Sequence, residues 1–416
     1  MREGEARVLS IVIPALDEED AIGETLRRCL DAREHIVSTS SVDAVELIVV
    51  SDGSSDRTEE IARGFEEVTV LAFERNRGYG AAIQCGFASG RGELLAFLDA
   101  DGTCDPRFFA DLCAALDAEQ ADVVLGSRMG RDSEMPWLRS VGNSIFAWIL
   151  GTLAHRRLED TASGMRVLRR GALPDLLPLP DGLHFTPAMS ARVLLEGRLK
   201  LVEVPMPYAE RVGRSKLHVW KDGLRFLSAI VQAAIAYRPA RPLLLVAALL
   251  GAGGLLVAGG PLRLYAVETR LEEWMIYRLL LASLLATVAA ISVMAAVLAE
   301  RIAAAAHGRE PARSGVTAFV LNLFNRRNRR FATGLSFGVA LWIAAPGALE
   351  YLATGRVEMH WSRAALASLL VVLGSVFGIT TFLIHMLELI AAQREPPLRP
   401  RAADRVHPAR SAGDVS

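Results

Sequence analysis

The sequence predicts an α/β domain built on a mostly parallel sheet, followed by interface helices and a four-helix transmembrane domain. Two observations carry that expectation. Short apolar, β-rich runs alternate with helix-like stretches over the first 130 residues, the pattern of strands sandwiched between helical layers. Four charge-free apolar runs, 243–260, 279–299, 331–349 and 364–384, follow later, with lengths of 18, 21, 19 and 21 residues. Each approaches the roughly 20 residues a helix needs to cross a hydrocarbon core.

Composition narrows the function classes. Hydrophobic residues make up 51% of the 416, and 46 Lys+Arg against 47 Asp+Glu leave a net charge of −1. That balance argues against a nucleic-acid partner. The four cysteines, Cys29, Cys85, Cys104 and Cys113, form no CxxC pair. Neither a disulfide scaffold nor a zinc ribbon is expected. The first residues lack the apolar core of a signal peptide, and none is expected.

In order along the chain, strands are expected at 8–13, 47–51, 69–73, 94–98 and 123–126, with helices near 19–32, 56–65, 80–89 and 106–118. The connection 301–330 carries seven Arg and one Glu, and 391–416 carries five Arg. The other two connections, 261–278 and 350–363, carry five Lys/Arg and five acids together. The positive-inside rule then places both termini and residues 1–235 in the cytoplasm. The transmembrane domain covers 239–392, and 393–416 reads as a disordered tail. The segment 316–324, just before four arginines, is either a helix on an anionic leaflet or an ordinary basic loop. His385 and Glu388 fall near the cytoplasmic end of the last span, where snorkelling accounts for them.

In an open α/β sheet, ligands bind at the carboxyl ends of the strands, and those ends carry carboxylates here. The fourth strand runs into Asp99-Ala100-Asp101-Gly102. Acids at i and i+2 on extended chain point the same way and make a hard-oxygen pair suited to Mg²⁺ or Mn²⁺, although Asp-Gly turns are common on surfaces. The second strand ends at Ser51-Asp52-Gly53, with Ser55 or Asp56 placed to cap the next helix. Arg75-Asn76-Arg77-Gly78-Tyr79-Gly80 opens another helix, and its glycines permit close approach to a phosphate.

Together these pieces resemble family 2 glycosyltransferases of the GT-A fold. The matching segments are 13–19, 51–58, 76–80 and 99–102, then Asp160-Thr161-Ala162-Ser163-Gly164-Met165-Arg166 and Arg211-Val212-Gly213-Arg214-Ser215-Lys216-Leu217. The last two look like marks of the dolichol-phosphate mannose synthase-like branch. Asp17, Ser51 and Met165 depart from the usual Asn, acid and Phe.

The resemblance implies inverting transfer of a hexose from a nucleotide-sugar, GDP-mannose or UDP-glucose, to a polyprenyl phosphate. It implies Asp99 and Asp101 as metal ligands, with Lys216 and Arg211 adding charge at the donor diphosphate. Pro14, Ala15, Glu18 and Asp52 would hold the nucleoside. Arg128, Arg139 and Asn143 resemble the set that receives the acceptor phosphate, and guanidinium forks suit that group. Asp160 would orient the donor sugar or act as a base. A homo-oligomer is compatible with the resemblance.

Two segments suit a lipid partner. Trp137, Val141, Ile145 and Trp148 recur at helical spacing within 137–153, as do Leu217, Trp220, Leu224, Leu227, Val231 and Ala234 within 217–238. Each stripe either packs on the sheet or lies in the membrane interface. Two rival readings are a processive polysaccharide synthase and a non-catalytic or lipid-sugar-translocating membrane protein. None of Gln84, Gln120, Gln232 or Gln393 begins the Gln-x-x-Arg-Trp of the first.

Overall fold

The computed structural model describes residues 6–130, 133–211, 219–268, 272–307, 311, 315–358 and 360–394. They fall into two compact units, Met1–Arg241 and Pro242–Ser416. In chain order the first contains β1 (Val8–Ala15), α1 (Ile22–Thr39), β2 (Ala44–Ser51), α2 (Thr58–Arg63), β3 (Val68–Ala72), α3 (Tyr79–Ser89) and β4 (Leu94–Leu98). There follow α4 (Phe109–Ala118), β5 (Val123–Ser127), α5 (Trp137–Ala154), β6 (Met165–Arg169), α6 (Leu173–Leu176), α7 (Phe185–Glu196), β7 (Leu201–Pro205) and α8 (Val219–Tyr237).

The seven strands form one sheet in the order β3-β2-β1-β4-β6-β5-β7. All pairings are parallel except those of β6, which runs antiparallel to β4 and β5. Five strands lie where the sequence predicts them; β6 and β7 were not expected. Alternation along the strands builds two cores. Ile11, Ile13, Leu47 and Val49 pack on one face with α1 and α4, while Val12, Ile48 and Val50 pack on the other with α3 and α7. This is the period of two expected of strands covered on both faces.

The second unit is helical: α9 (Ala240–Glu268), α10 (Glu273–Ala306), α11 (Gly315–Leu323), α12 (Arg326–Thr354) and α13 (Trp361–Arg394). Four of these are long and apolar enough to cross a membrane, with mean hydropathy of 1.5 to 2.4. They outrun the charge-free runs because the flanking charged residues continue the same helices. The tail beyond 394 lies outside the described residues.

Candidate active site

Strand register assembles the site. The antiparallel pairing of β4 with β6 sets Leu98 opposite Met165, so Asp99 emerges beside Gly164. The Asp99 carboxylate lies flat on that glycine. A Cβ added at Gly164 would meet Asp99 Oδ2 at 1.8 Å, and no other residue type fits. Tyr79, at the start of α3, donates its hydroxyl to Asp99 Oδ1 at 2.6 Å. Asp101 turns Oδ1 to the Thr103 amide (3.2 Å) and hydroxyl (2.7 Å), leaving Oδ2 at 3.5 Å from Arg211 Nη1. Burial, reinforced by the charge of Asp101, raises the Asp99 carboxyl to about 6 against the lowering effect of Tyr79. Tyr79 entered the sequence analysis only as part of a glycine-rich turn; only the fold brings its hydroxyl to the carboxylate.

A second cluster braces the loop before β6. Asp160 is fully buried and does not line the cavity described below. Its Oδ2 accepts from Arg128 N (3.0 Å) and Nε (2.7 Å), and its Oδ1 from Arg128 Nη2 (2.8 Å) and Ala162 N (3.0 Å). These bonds fill the roughly four lone-pair sites of a carboxylate. Burial pushes Asp160 upward, but the Arg128 charge and these bonds prevail and hold it below its ordinary value. Asn143, on α5, donates to the Glu159 carbonyl and accepts from the Thr161 amide and hydroxyl. Its amide therefore ties α5 to the loop as well as lining the cavity.

Sequence reasoning left Arg166 and Glu203 without roles. Arg166 on β6 is fully buried and donates to the carbonyls of Thr161 and Ser163 and to Ser190. Burial lowers it to about 10. Glu203 on β7 accepts the amides of residues 159 and 160. Charged residues inside short strands hide these strands from a search for apolar alternation, which is also why they hold the loop.

At the other end, Pro14, Ala15, Glu18 and Asp52 line the cavity at the tips of β1 and β2. Asp52 accepts the backbone amides of Arg77 (2.7 Å) and Gly78 (2.9 Å). The expected phosphate cradle at this turn thus already faces a carboxylate. Gly78, at φ +111°, instead permits contact with the Asp181 carbonyl, which an added Cβ would meet at 2.4 Å. Asp56 accepts the Thr58 amide, but it stands one residue ahead of the helix cap, which is Arg57 and makes no side-chain cap bond. Arg211 bridges Glu18, at 2.6 Å, and Asp101. Lys216 lies outside the described residues.

These groups open onto one cavity of about 890 Å³. Its lining includes the charged Asp52, Asp99, Asp101, Arg128, Arg139 and Arg211, the amide of Asn143, and the apolar Val141, Ile145, Trp220 and Leu224 of α5 and α8. The α5 stripe does not pack on the sheet: Trp137, Val141, Ile145 and Trp148 are exposed, Trp148 by 71%. The α8 stripe is mixed. Trp220 is 87% exposed and Leu224 and Val231 are also bare, yet Ala234 is buried against α5 and α7 with Ile230 and Tyr237. That helix is apolar on two faces, and a single stripe misdescribed it. Leu217 lies outside the described residues.

The donor set suits a divalent cation. Asp99 Oδ2 and Asp101 Oδ2 are hard oxygens with no hydrogen bond to protein among the described residues, and no third His, Cys, Asp or Glu gathers with them there. Mg²⁺ commonly takes one or two carboxylates and completes its shell with substrate phosphate and water.

A mostly parallel sheet carrying a carboxylate pair at a strand tip above a long cleft is the architecture of a GT-A glycosyltransferase. Residues 10–177 match the Glycosyl transferase family 2 model. The chain is 30% identical over 237 residues to a dolichyl-phosphate hexose transferase of Haloferax volcanii, covering 55% of this chain and 95% of that protein. It is 32% identical over 177 residues to a dolichyl-phosphate beta-glucosyltransferase of Drosophila melanogaster, covering 39% and 54%. It is 27% identical over 196 residues to a dodecaprenyl-phosphate galacturonate synthase of Rhizobium johnstonii, covering 46% and 56%. This chain therefore spans little more than half of each of the last two proteins. The chain belongs to glycosyl transferase family 2 and is a glycosyltransferase.

Proposed function

We propose that the protein transfers one hexosyl unit, with inversion, from GDP-mannose or UDP-glucose to the phosphate of a membrane-borne polyprenyl phosphate. The observation that carries this reading is one cavity whose lining joins the Asp99/Asp101 pair, Arg128 and Arg139 with apolar side chains of α5 and α8. A soluble acceptor has no use for that apolar lining. The names of the three relatives point to the same acceptor class.

On this reading the nucleoside lies against Pro14, Ala15, Glu18 and Asp52, Arg211 faces the diphosphate, and Lys216 adds the charge that the family resemblance assigns to it. A divalent cation held by Asp99 and Asp101 supplies charge neutralisation to the leaving group. The acceptor phosphate is already largely ionised at neutral pH, with a second pKa of about 6, so it needs placing more than deprotonating. Arg128 and Arg139 place it, and Asn143 helps to close the site around it. Asp160 holds the Arg128 fork in position rather than acting as a base, because its oxygens are saturated and buried. The exposed faces of α5 and α8 lie in the interface with Trp at headgroup depth, and the Arg-rich connections keep this unit on the cytoplasmic side.

The test is to incubate the purified full chain with Mn²⁺, undecaprenyl phosphate and a panel of radiolabelled nucleotide-sugars, then count label in the organic phase. Label from one donor, lost on adding EDTA, names the sugar and supports the reading. Folded protein that moves no label from any donor counts against it and favours the translocating alternative.

A further inference from the structure

The start of α7 belongs to the cavity wall: Gly182, Leu183 and Thr186 all line it. Thr186 is only 4% exposed, yet its hydroxyl has no hydrogen-bond partner among the described residues. The backbone leaves a second donor beside that hydroxyl. The Phe185 amide donates to the Gly182 carbonyl and the Ala188 amide to the His184 carbonyl, while Pro187 has no amide hydrogen. Thr186 N is left as the unpaired donor of the first turn among the described residues. The residue that caps the helix, His184, makes no side-chain bond to it. Buried polar groups are normally hydrogen-bonded, and one left without a partner costs free energy.

Two sets of contacts fix this wall next to Asp99. On one side, the chain leading into α7 is clamped to the start of α3. Ala81 N donates to the Asp181 carbonyl at 3.0 Å, and a Cβ added at Gly80 would meet the Pro180 carbonyl oxygen at 2.2 Å and Phe185 Cδ2 at 2.8 Å. Tyr79, which opens α3, carries the hydroxyl bonded to Asp99. On the other side, Ser190, one helical turn beyond Thr186, accepts from Arg166 Nη1 at 3.0 Å and donates to the Thr161 carbonyl at 3.1 Å. Ala162 follows in the cavity lining, and Gly164 lies against the Asp99 carboxylate. Helix α7 is thus joined at Phe185 and at Ser190 to the two segments that flank Asp99, and Thr186 sits between those joints.

A diphosphate held at the Asp99/Asp101 pair carries its hexosyl unit beside this wall. Such a unit presents hydroxyls, which both donate and accept, and a threonine hydroxyl does the same. We infer that the Thr186 hydroxyl bonds a hydroxyl of the donor hexosyl unit and thereby discriminates among hexoses. The inference rests on the donor site proposed above and adds the residue that reads the sugar. Gly182 and Leu183, next to Thr186 in the lining, offer no polar side chain. A sugar whose hydroxyl misses Thr186 finds no substitute there and leaves a buried hydroxyl unpaired.

The test is isothermal titration calorimetry of the full chain with Mn²⁺, using GDP-mannose, UDP-glucose, GDP and UDP as probes. Thr186→Val removes the hydroxyl at nearly constant shape. Because that hydroxyl bonds nothing in the protein, the melting temperature should not fall. The variant is expected to bind the preferred nucleotide-sugar about fivefold more weakly and the matching nucleoside diphosphate as the wild type does. Thr186→Ser should recover the affinity. Among deoxy forms of the preferred donor, each lacking a different hydroxyl, one should bind the wild type and Thr186→Val alike. An equal loss for nucleotide-sugar and nucleoside diphosphate, undiminished nucleotide-sugar binding in Thr186→Val, or the same loss with every deoxy donor overturns the inference. The comparison needs no acceptor, so it decides on Thr186 even where no lipid is glycosylated. Wild-type protein that binds the nucleoside diphosphates and neither nucleotide-sugar overturns the donor reading and this inference together.

Discussion

Replacing Asp99 by Asn tests the electrostatics of the site without relying on turnover. Asp99 carries a carboxyl raised from 3.8 to about 6 by burial and by its neighbour Asp101. A folded-state pKa above the unfolded value means that ionisation opposes folding. The relative stability is fully present below the unfolded value and is lost as pH rises through about 6. A shift of about two pKa units corresponds to about 3 kcal/mol at 1.36 kcal/mol per unit. Solvent in the cavity screens part of it, leaving roughly 1–2 kcal/mol. Asn keeps an acceptor for the Tyr79 hydroxyl and carries no charge. At pH 7.5 in EDTA, Asp99→Asn is expected to raise the melting temperature of the sheet unit by roughly 3–6 °C, while sugar transfer is lost. At pH 5, where Asp99 is mostly protonated, the gain should shrink towards zero. Adding Mn²⁺ should stabilise the wild type and leave the variant unmoved. A variant that melts at or below the wild-type temperature at both pH values refutes the reasoning.

Other substitutions probe single contacts. Tyr79→Phe removes the donor at Asp99 Oδ1 and should weaken Mn²⁺ binding about fivefold, the effect of about 1 kcal/mol, by electron paramagnetic resonance titration. Asp160→Asn breaks a buried bidentate pair and should destabilise the fold by about 3–5 kcal/mol; Arg128→Lys loses the same fork but keeps the charge, so it should destabilise less and raise the KM for lipid phosphate. Unchanged acceptor kinetics in Arg128→Lys would remove that residue from the acceptor site. Gly164→Ala drives a methyl into Asp99 and should abolish metal-dependent thermal stabilisation. Leu224→Glu, on the bare face of α8, should raise the KM for a long-chain polyprenyl phosphate and leave that for a short soluble analogue alone.

Most of the sheet was legible because its central strands are nearly continuous apolar runs bounded by Asp and Gly. Strands β6 and β7 were not, because Arg166 and Glu203 interrupt them at positions where the side chain holds a loop instead of filling a core. The carboxylate pair stood out from its spacing together with its place at the end of an apolar strand. Its support by Tyr79 and Gly164 did not, since it depends on the antiparallel register of β4 with β6. Asp160 and Arg128 both stood out in the sequence, but as separate candidates; their mutual bond is a product of the fold. The two faces of α8 merge into one stripe on a helical wheel and separate only when α7 covers one of them.

The most direct measurement is the intact mass of the lipid recovered after incubating the full chain with the active nucleotide-sugar and undecaprenyl phosphate, alongside undecaprenol lacking the phosphate. The account predicts that the phosphorylated lipid gains the mass of one hexosyl residue and that undecaprenol gains none. Glycosylation of undecaprenol, or donor hydrolysis to free sugar with the lipid mass unchanged, would contradict the claim that this cavity joins a sugar to a lipid phosphate.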